Sequence, residues 1–166
     1  MNRAPVLAVV AAGVAALGLG AVLHPSPRLV WNASPSAPVG LWRIDPGAPI
    51  AVGDMVLAQA PDAARRLAAA RGYLPQTVPL VKAVAAAEGD SVCAEGAWMF
   101  VGATRVAHRL RHDAQGRPLP WWRGCRRLAR GEYLLISPAE TAFDSRYFGP
   151  VEASAVIGRA RPLWTR

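Results

Sequence analysis

The chain has 166 residues, of which 52% are apolar, and its formal net charge is +8. This length fits one domain and a short additional segment. Arginine carries almost all of the positive charge, because Lys82 is the only lysine among the 19 basic residues. The arginines are mostly scattered and form no recognised nucleic-acid motif, which argues against nucleic acid as a partner. A solvated basic surface, or one that faces anionic lipid, explains the excess charge better.

The first 23 residues predict a membrane anchor that precedes an exported domain. From Ala4 to Leu23 the chain has 20 residues without a charge, enough to cross a bilayer as a helix. Arg3 precedes this run and favours a cytoplasmic N-terminus, with a single pass through the inner membrane. A cleaved signal peptide is the alternative, although the apolar run exceeds a typical signal core. Residues 24–166 are then predicted to form one periplasmic domain.

The exported part is predicted to be a mostly β, antiparallel domain with one small helical insertion. The helix is expected to start at an Asp62 cap and to end at Gly72. Short alternating segments separated by Gly, Asp and Pro turns are typical of an all-β fold. The predicted strands are Leu41–Ile44, Met55–Ala60, Val78–Ala86, Ser91–Cys93, Trp98–Val101, Thr104–His108, Glu132–Ile136 and Val156–Leu163.

Cys93 and Cys125 are the only cysteines of the chain. In an exported, oxidising compartment we expect one disulfide between them. Two unpaired thiols are the alternative. The cysteines lack the paired spacing of a metal site, so we expect neither a metal nor a cofactor.

Lys82 is a candidate general base in the predicted strand Val78–Ala86. A site that needs an amine able to lose its proton requires lysine, because arginine stays protonated. Leu80, Lys82 and Val84 share one face of the strand. Burial of that face would lower the lysine pKa from about 10.4 toward neutrality. Biased codon usage is the alternative explanation for a single lysine.

Ser36 is the candidate nucleophile for this base. Pro35, Pro38 and Gly40 frame it in a stiff loop, which would restrict the direction of its hydroxyl. The Ser36 N–H and the Ser34 hydroxyl are candidate donors to an oxyanion. Ser/Lys pairs of this kind perform acyl transfer in some hydrolases. A rigid linker after the membrane segment is the alternative.

Four sequence blocks follow one another along the exported chain. They read SAPVGLW at 36–42, LVKAV with GDSV at 80–92, FDSRYFGPV at 143–151 and IGRA at 157–160. In this order the blocks resemble the signal peptidase I superfamily. The shorter segment before the third block, with Arg117–Pro120 and Gly124–Cys125, looks most like the conjugative transfer signal peptidases (TraF type).

The resemblance implies a membrane-anchored serine endopeptidase with a Ser/Lys dyad. Ser36 matches the nucleophile and Lys82 the general base. Asp144 matches an acidic residue that orients the site and pairs with Arg146, although this pair could also serve only to hold the loop. The implied substrate is an exported, pilin-like precursor, which is either hydrolysed or joined into a cyclic product.

Two positions depart from the pattern of ordinary signal peptidases. Only Ala37 separates Ser36 from the next proline, which favours the transfer subfamily. Ala142 stands where the family has a serine that holds the lysine amine. Thr141 is a candidate substitute, and the alternative is that another group holds the lysine.

Two alternative functions stay open. A general type I signal peptidase would differ only in its substrate. A non-catalytic, anchored assembly factor of a secretion or conjugation channel would keep the fold without the chemistry. A triad based on His108 or His112 is disfavoured, because both lie in an arginine-rich, turn-bearing stretch that is typical of solvated histidine.

Overall fold

The computed structural model describes residues 3–23 and 26–166. Within them the helices are α1 (Ala4–Leu23), α2 (Asp62–Ala70) and α3 (Ser145–Phe148). The strands are β1 (Leu29–Asn32), β2 (Gly40–Asp45), β3 (Met55–Ala58), β4 (Leu80–Ala86), β5 (Ser91–Glu95), β6 (Trp98–Val101), β7 (Thr104–His108), β8 (Gly124–Arg127), β9 (Glu132–Ile136), β10 (Val151–Glu152) and β11 (Val156–Thr165), with a 3-10 turn at Ala153–Ala155.

The strands form two antiparallel sheets, which confirms the predicted mostly β fold. The larger sheet has the order β1-β2-β11-β3-β4-β9-β10, and the smaller one has the order β7-β6-β5-β8. Cys93 and Cys125 lie directly opposite each other on β5 and β8. They form the predicted disulfide.

Both faces of the larger sheet are covered where β4 crosses it. Val81 packs on one face with Trp42 and Leu57, while Val84 packs on the other with Val56. Alternation along a strand therefore leaves no solvent-facing side for a residue in the middle of β4.

Each predicted strand is present, with bounds that shift by a few residues. Strands β1, β8 and β10 and helix α3, which are two to four residues long, were not predicted. The predicted Asp62 cap is wrong: α2 starts at Asp62 itself, and the residue at the cap position, Pro61, makes no side-chain bond. Gly72 ends the helix as predicted, with a φ of 71° that glycine adopts without strain.

Across the part of the chain that the structure describes, no helix has the length and apolar character needed to cross a membrane. The predicted anchor is therefore not shown. The proposed boundary at residue 24, with the proline after it, lies outside the described residues, as do the first two residues of the chain.

Candidate active site

A cleft of about 680 Å³ runs along the start of β4. Ser36, from the loop between β1 and β2, and Lys82, from β4, both line it. The hydrogen-bond ladder between β4 and β9 covers Ala83–Ala86 and does not reach Leu80–Lys82. The chain after β9 leaves the sheet at this point, and the cleft takes its place beside β4. The structure thus brings the two predicted dyad residues to one cleft.

Lys82 is buried, with 2% of its surface exposed. In the sheet it lies opposite Val56, and it shares a strand face with Val84. Burial lowers the pKa of the Lys82 ammonium to about 8; the charge of Asp144 raises it, and that of Arg146 lowers it. Removal from water is the largest cause of the shift. It lowers the pKa because it disfavours the charged form of the amine. Lys82 can therefore act as a base near neutral pH.

The structure shows what surrounds the Lys82 amine. Thr141 and Ala142 line the same cleft as Lys82. Among the described residues, however, the ammonium has no hydrogen bond, to Thr141 or to any other side chain. The favourable contact is the longer-range attraction to the Asp144 carboxylate.

Asn32 holds the loop that carries Ser36. Its Nδ2 donates to the carbonyl oxygens of Ser34, Ala37 and Pro38 at 2.9, 3.0 and 3.0 Å. Its Oδ1 accepts the Ser34 N–H at 3.2 Å. Asn32 is the last residue of β1 and is 8% exposed, so a buried side chain substitutes for backbone pairing inside the turn. The proline spacing predicted a stiff loop, but it gave no sign of this amide.

The two serines of the loop contact each other. The Ser34 hydroxyl donates to Ser36 Oγ at 2.9 Å, and the Ser36 N–H donates to Ser34 Oγ at 3.3 Å. The two candidate oxyanion donors are thus paired within the loop in this structure, and their role stays a prediction.

Asp144 and Arg146 form the predicted pair, and both are almost fully buried, at 0% and 1% exposure. The Arg146 guanidinium donates two hydrogen bonds to the Asp144 carboxylate, of 2.8 and 3.0 Å. The same guanidinium donates to the carbonyl oxygens of His108, Glu140 and Ser137. Asp144 also caps α3 by accepting the Arg146 N–H. The pair therefore ties three chain segments together.

Ser137 connects this pair to the loop that carries Ser36, and no feature of the sequence predicted it. Its N–H donates to Asp144 at 2.8 Å and its carbonyl accepts from Arg146 at 2.5 Å. Its hydroxyl donates to the carbonyl oxygen of Ser36. It is 2% exposed and contacts Ser36, which lies 101 positions earlier in the chain. No local motif marks such a residue.

His108 does not belong to the cleft. Its Nδ1 lies 2.8 Å from Glu140 Oε1, and its ring packs 4.7 Å from that of Trp98. It lines a separate cavity of about 280 Å³. The residues that line the Ser36 cleft include no histidine. Within the described residues, nothing forms a Ser-His-Asp triad around Ser36.

One group of potential metal ligands lies close together in the described residues, namely Cys93, Glu95 and Cys125. The two sulfur atoms are joined in the disulfide and are not available as thiolates. The cleft is lined by one carboxylate, that of Asp113, which is paired with Arg117.

Residues 1–164 match the family model described as signal peptidase, peptidase S26. The chain belongs to the peptidase S26 family. It is 38% identical over 146 residues to a probable conjugal transfer protein TraF of Sinorhizobium fredii, covering 81% of this chain and 76% of that protein. It is 36% identical over 146 residues to a plasmid transfer protein TraF of Escherichia coli, covering 81% of both chains.

Among solved structures, a signal peptidase I from Enterococcus faecalis V583 matches with a TM-score of 0.40 and 13% identity, over 68% of this chain and 97% of that one. The family and the conjugal transfer relatives confirm the resemblance that the four sequence blocks indicated. In this S26 chain, Asn32 and Ser137 hold the loop that carries Ser36 against the rest of the fold.

We predict that Ser137→Ala lowers kcat for peptide cleavage about tenfold and leaves KM nearly unchanged. The loss of one hydrogen bond to Ser36 should misplace the nucleophile without altering the cleft lining. Steady-state kinetics on a cleavable precursor peptide measures the effect. Ser137→Thr, which keeps the hydroxyl, should restore most of kcat. Ser154→Ala, at an exposed serine, serves as the control. An unchanged kcat in Ser137→Ala would contradict a positioning role.

Proposed function

We propose that this chain is a serine endopeptidase of the signal peptidase type that cuts exported precursor proteins, with Ser36 and Lys82 as its dyad. The observation that carries the proposal is the buried Lys82, which lines the same cleft as Ser36 and whose pKa is lowered to about 8. An unpaired amine at this depth costs stability and serves no packing purpose. As a general base it has a clear use.

In the proposed reaction the neutral Lys82 amine removes the proton of Ser36 Oγ. The oxygen attacks the scissile carbonyl carbon and forms a C–O bond, and the Ser34 hydroxyl and Ser36 N–H turn toward the developing oxyanion. The C–N bond then breaks, and the Lys82 ammonium returns the proton to the leaving amine. This leaves an acyl ester on Ser36 and a neutral lysine.

The ester has two possible fates. Water can attack it, with Lys82 again as base, and release an acid and the free serine. A terminal amine of the substrate can attack instead, which joins the chain into a cyclic amide. Both routes use the same proton transfers, and the cleft geometry favours neither.

Asp144 is assigned a supporting role. Its carboxylate accepts hydrogen bonds from Arg146 and from the Ser137 N–H, and these contacts hold the structure rather than transfer a proton. Its charge still raises the pKa of Lys82. This charge therefore keeps the pKa of Lys82 high enough for the amine to accept a proton.

The cleft suits an extended polypeptide. Leu80–Lys82 on β4 line it, and this part of β4 pairs with β3 but not with β9. A substrate segment could add there as a further strand, with main-chain hydrogen bonds for affinity and pockets for alternate side chains. Most of the other lining residues are apolar, and Val78, Leu110 and Phe143 are examples.

The TraF relatives make a conjugative pilin precursor the first substrate to test, because their names place them in plasmid transfer. A general signal peptidase would cut many exported precursors with the same dyad. A non-catalytic assembly factor would need neither Ser36 nor Lys82.

We further propose that the domain works on the periplasmic side of the inner membrane. An exposed apolar face at one edge of the larger sheet supports contact with lipid: Leu29, Trp31, Leu163 and Trp164 are 51–60% exposed. Trp31 and Trp164 both lie opposite Leu41 of β2, with their rings 5.7 Å apart. Tryptophan is common at membrane interfaces. The single pass with a cytoplasmic N-terminus rests on the sequence of Ala4–Leu23.

The dyad predicts that Ser36→Ala and Lys82→Arg each reduce cleavage of a pilin precursor by at least about 10³-fold. Arginine keeps the positive charge but cannot become neutral, so it cannot accept the proton. Cleavage is followed by mass spectrometry, which also separates linear from cyclic products. Since Lys82→Arg could disturb the core, Lys82→Met is tested beside it and should be folded and inactive. If Ser36→Ala and Lys82→Met both cut the precursor, the dyad is wrong.

The pKa of Lys82 predicts the pH profile. Below about 8 the amine is protonated and cannot act as a base, so kcat/KM should rise about tenfold per pH unit and level off above that value. Removal of the Asp144 charge should move this midpoint down, because that charge raises the pKa of Lys82. Asp144→Asn provides the comparison. A profile that is flat from pH 6 to 9 would exclude Lys82 as the titrating base.

If the domain lies in the periplasm, alkaline phosphatase fused after Arg166 should be active in intact cells, because that enzyme folds only in an oxidising compartment. Green fluorescent protein at the same position should be dark after export through the general secretion pathway. The reverse result would place the domain in the cytoplasm.

A further inference from the structure

Two segments that the proposed chemistry does not use form one wall of the cleft. One is residues 61–79, which contain α2, and the other is residues 110–119; we call them together the insertion wall. The Tyr73 hydroxyl donates to the Asp113 carboxylate. Arg71 donates to the carbonyl of Pro118 at 2.9 Å, and Arg117 donates back to the carbonyl of Arg71 at 3.2 Å. These contacts hold the two segments as one unit beside the substrate path.

The carboxylate of this wall, that of Asp113, already has hydrogen-bond partners within the wall. Asp113 accepts from the Arg117 side chain at 2.6 Å, and from the backbone N–H groups of Gln115 and Arg117 at 2.9 Å. Burial by itself would raise the pKa of Asp113, but the hydrogen bonds from Tyr73 and Arg117 bring it well below its usual range. Asp113 is therefore charged, and its charge is balanced inside the wall.

Arg65 of α2, unlike Asp113, has a buried polar atom without a hydrogen-bond partner among the described residues. Three charged side chains line the cleft among the described residues, namely Arg65, Lys82 and Asp113. Lys82 is the candidate base and Asp113 is paired. Arg65 donates from Nη2 to Asp62. Its Nε–H is buried and has no hydrogen-bond acceptor among the described residues. A buried donor without a partner is uncommon and calls for an explanation.

The surroundings of Arg65 favour replacement of Asp62 by another carboxylate on the cleft side. The Asp62 side chain is 71% exposed, against 27% for that of Arg65, so Asp62 contacts the guanidinium from the solvent side. An exposed ion pair of this kind contributes little. The cleft side offers the guanidinium a drier site, where a second charged group would interact more strongly.

We propose that Arg65 is a substrate-binding residue that receives a carboxylate of the precursor in the cleft. If the guanidinium turns from Asp62 toward the cleft, its Nε–H and an Nη–H together form the fork that matches two carboxylate oxygens. The carboxylate could belong to an acidic side chain near the cleavage site or to the C-terminus of the substrate. This inference rests on the proposed function, because it names one subsite of the same cleft.

The test uses the full-length Ser36→Ala protein, so that binding is measured without turnover. Fluorescein-labelled, alanine-rich peptides carry one Asp at successive positions, or Asn at the same positions, each with a free or an amidated C-terminus. Fluorescence anisotropy in detergent gives Kd. We expect at least one carboxylate peptide to bind about tenfold more tightly than its neutral partner. Dependence on Asp or on the free C-terminus identifies the source of the carboxylate.

Arg65→Gln should abolish that preference and leave the affinity for the neutral peptides unchanged. Arg66→Gln is the matched control, because Arg66 is the next residue of the same helix and is exposed. It should keep the preference. Equal loss in both variants would mean that general charge attracts the peptides, and absence of any carboxylate preference would overturn the proposal.

Turnover separates this inference from the proposed function. If the protein with Ser36 intact cuts the neutral peptides, but Arg65→Gln changes no Kd, the subsite is wrong and the peptidase stands. If no peptide is cut, but carboxylate binding depends on Arg65, the cleft binds such chains without the proposed chemistry.

Discussion

The buried pair of Asp144 and Arg146 is the contact on which the rest of the site depends. Neither charge reaches solvent, so each must be satisfied inside the protein, and the guanidinium does this by bonding the carboxylate and three backbone carbonyl groups. These bonds determine the path of the chain after β9. Ser137 lies on that path and holds the backbone of Ser36. Through Ser137, the Asp144–Arg146 pair therefore influences the position of Ser36, and the charge of Asp144 also raises the pKa of Lys82.

Lys82 shows how the fold and the proposed chemistry oppose each other. A fall in its pKa from 10.5 to about 8 means that the folded protein disfavours the charged amine by about 3 kcal/mol. This destabilisation is fully present below pH 8 and fades as the pH rises toward the value of the unfolded chain. Stability is therefore lowest where the amine is charged. A residue kept at such a cost is typical of functional sites, where local stability is given up for activity.

The sequence predicted the fold class well, because period-2 alternation and Gly-containing turns are local signals. It found eight of the eleven strands in the described residues and the end of α2 at Gly72. It failed at Asp62, since an acidic residue before an apolar helix face suits both a cap and a first turn, and only the backbone direction separates the two. It also missed β8, whose four residues form a strand through pairing with β5 and are all exposed.

By itself, the sequence determined the chemical inventory: one lysine among arginines, a serine framed by prolines, two cysteines and the Asp144–Arg146 motif. These are properties of residue type and short spacing, so they can be read along the chain. Only the tertiary structure decided how they are assembled. Ser137 reaches Ser36 across 101 residues, and Asn32 closes the Ser36 loop from the end of β1. The cleft exists because β9 leaves β4 before Lys82. Such contacts depend on strand register and burial, which no short stretch of sequence encodes.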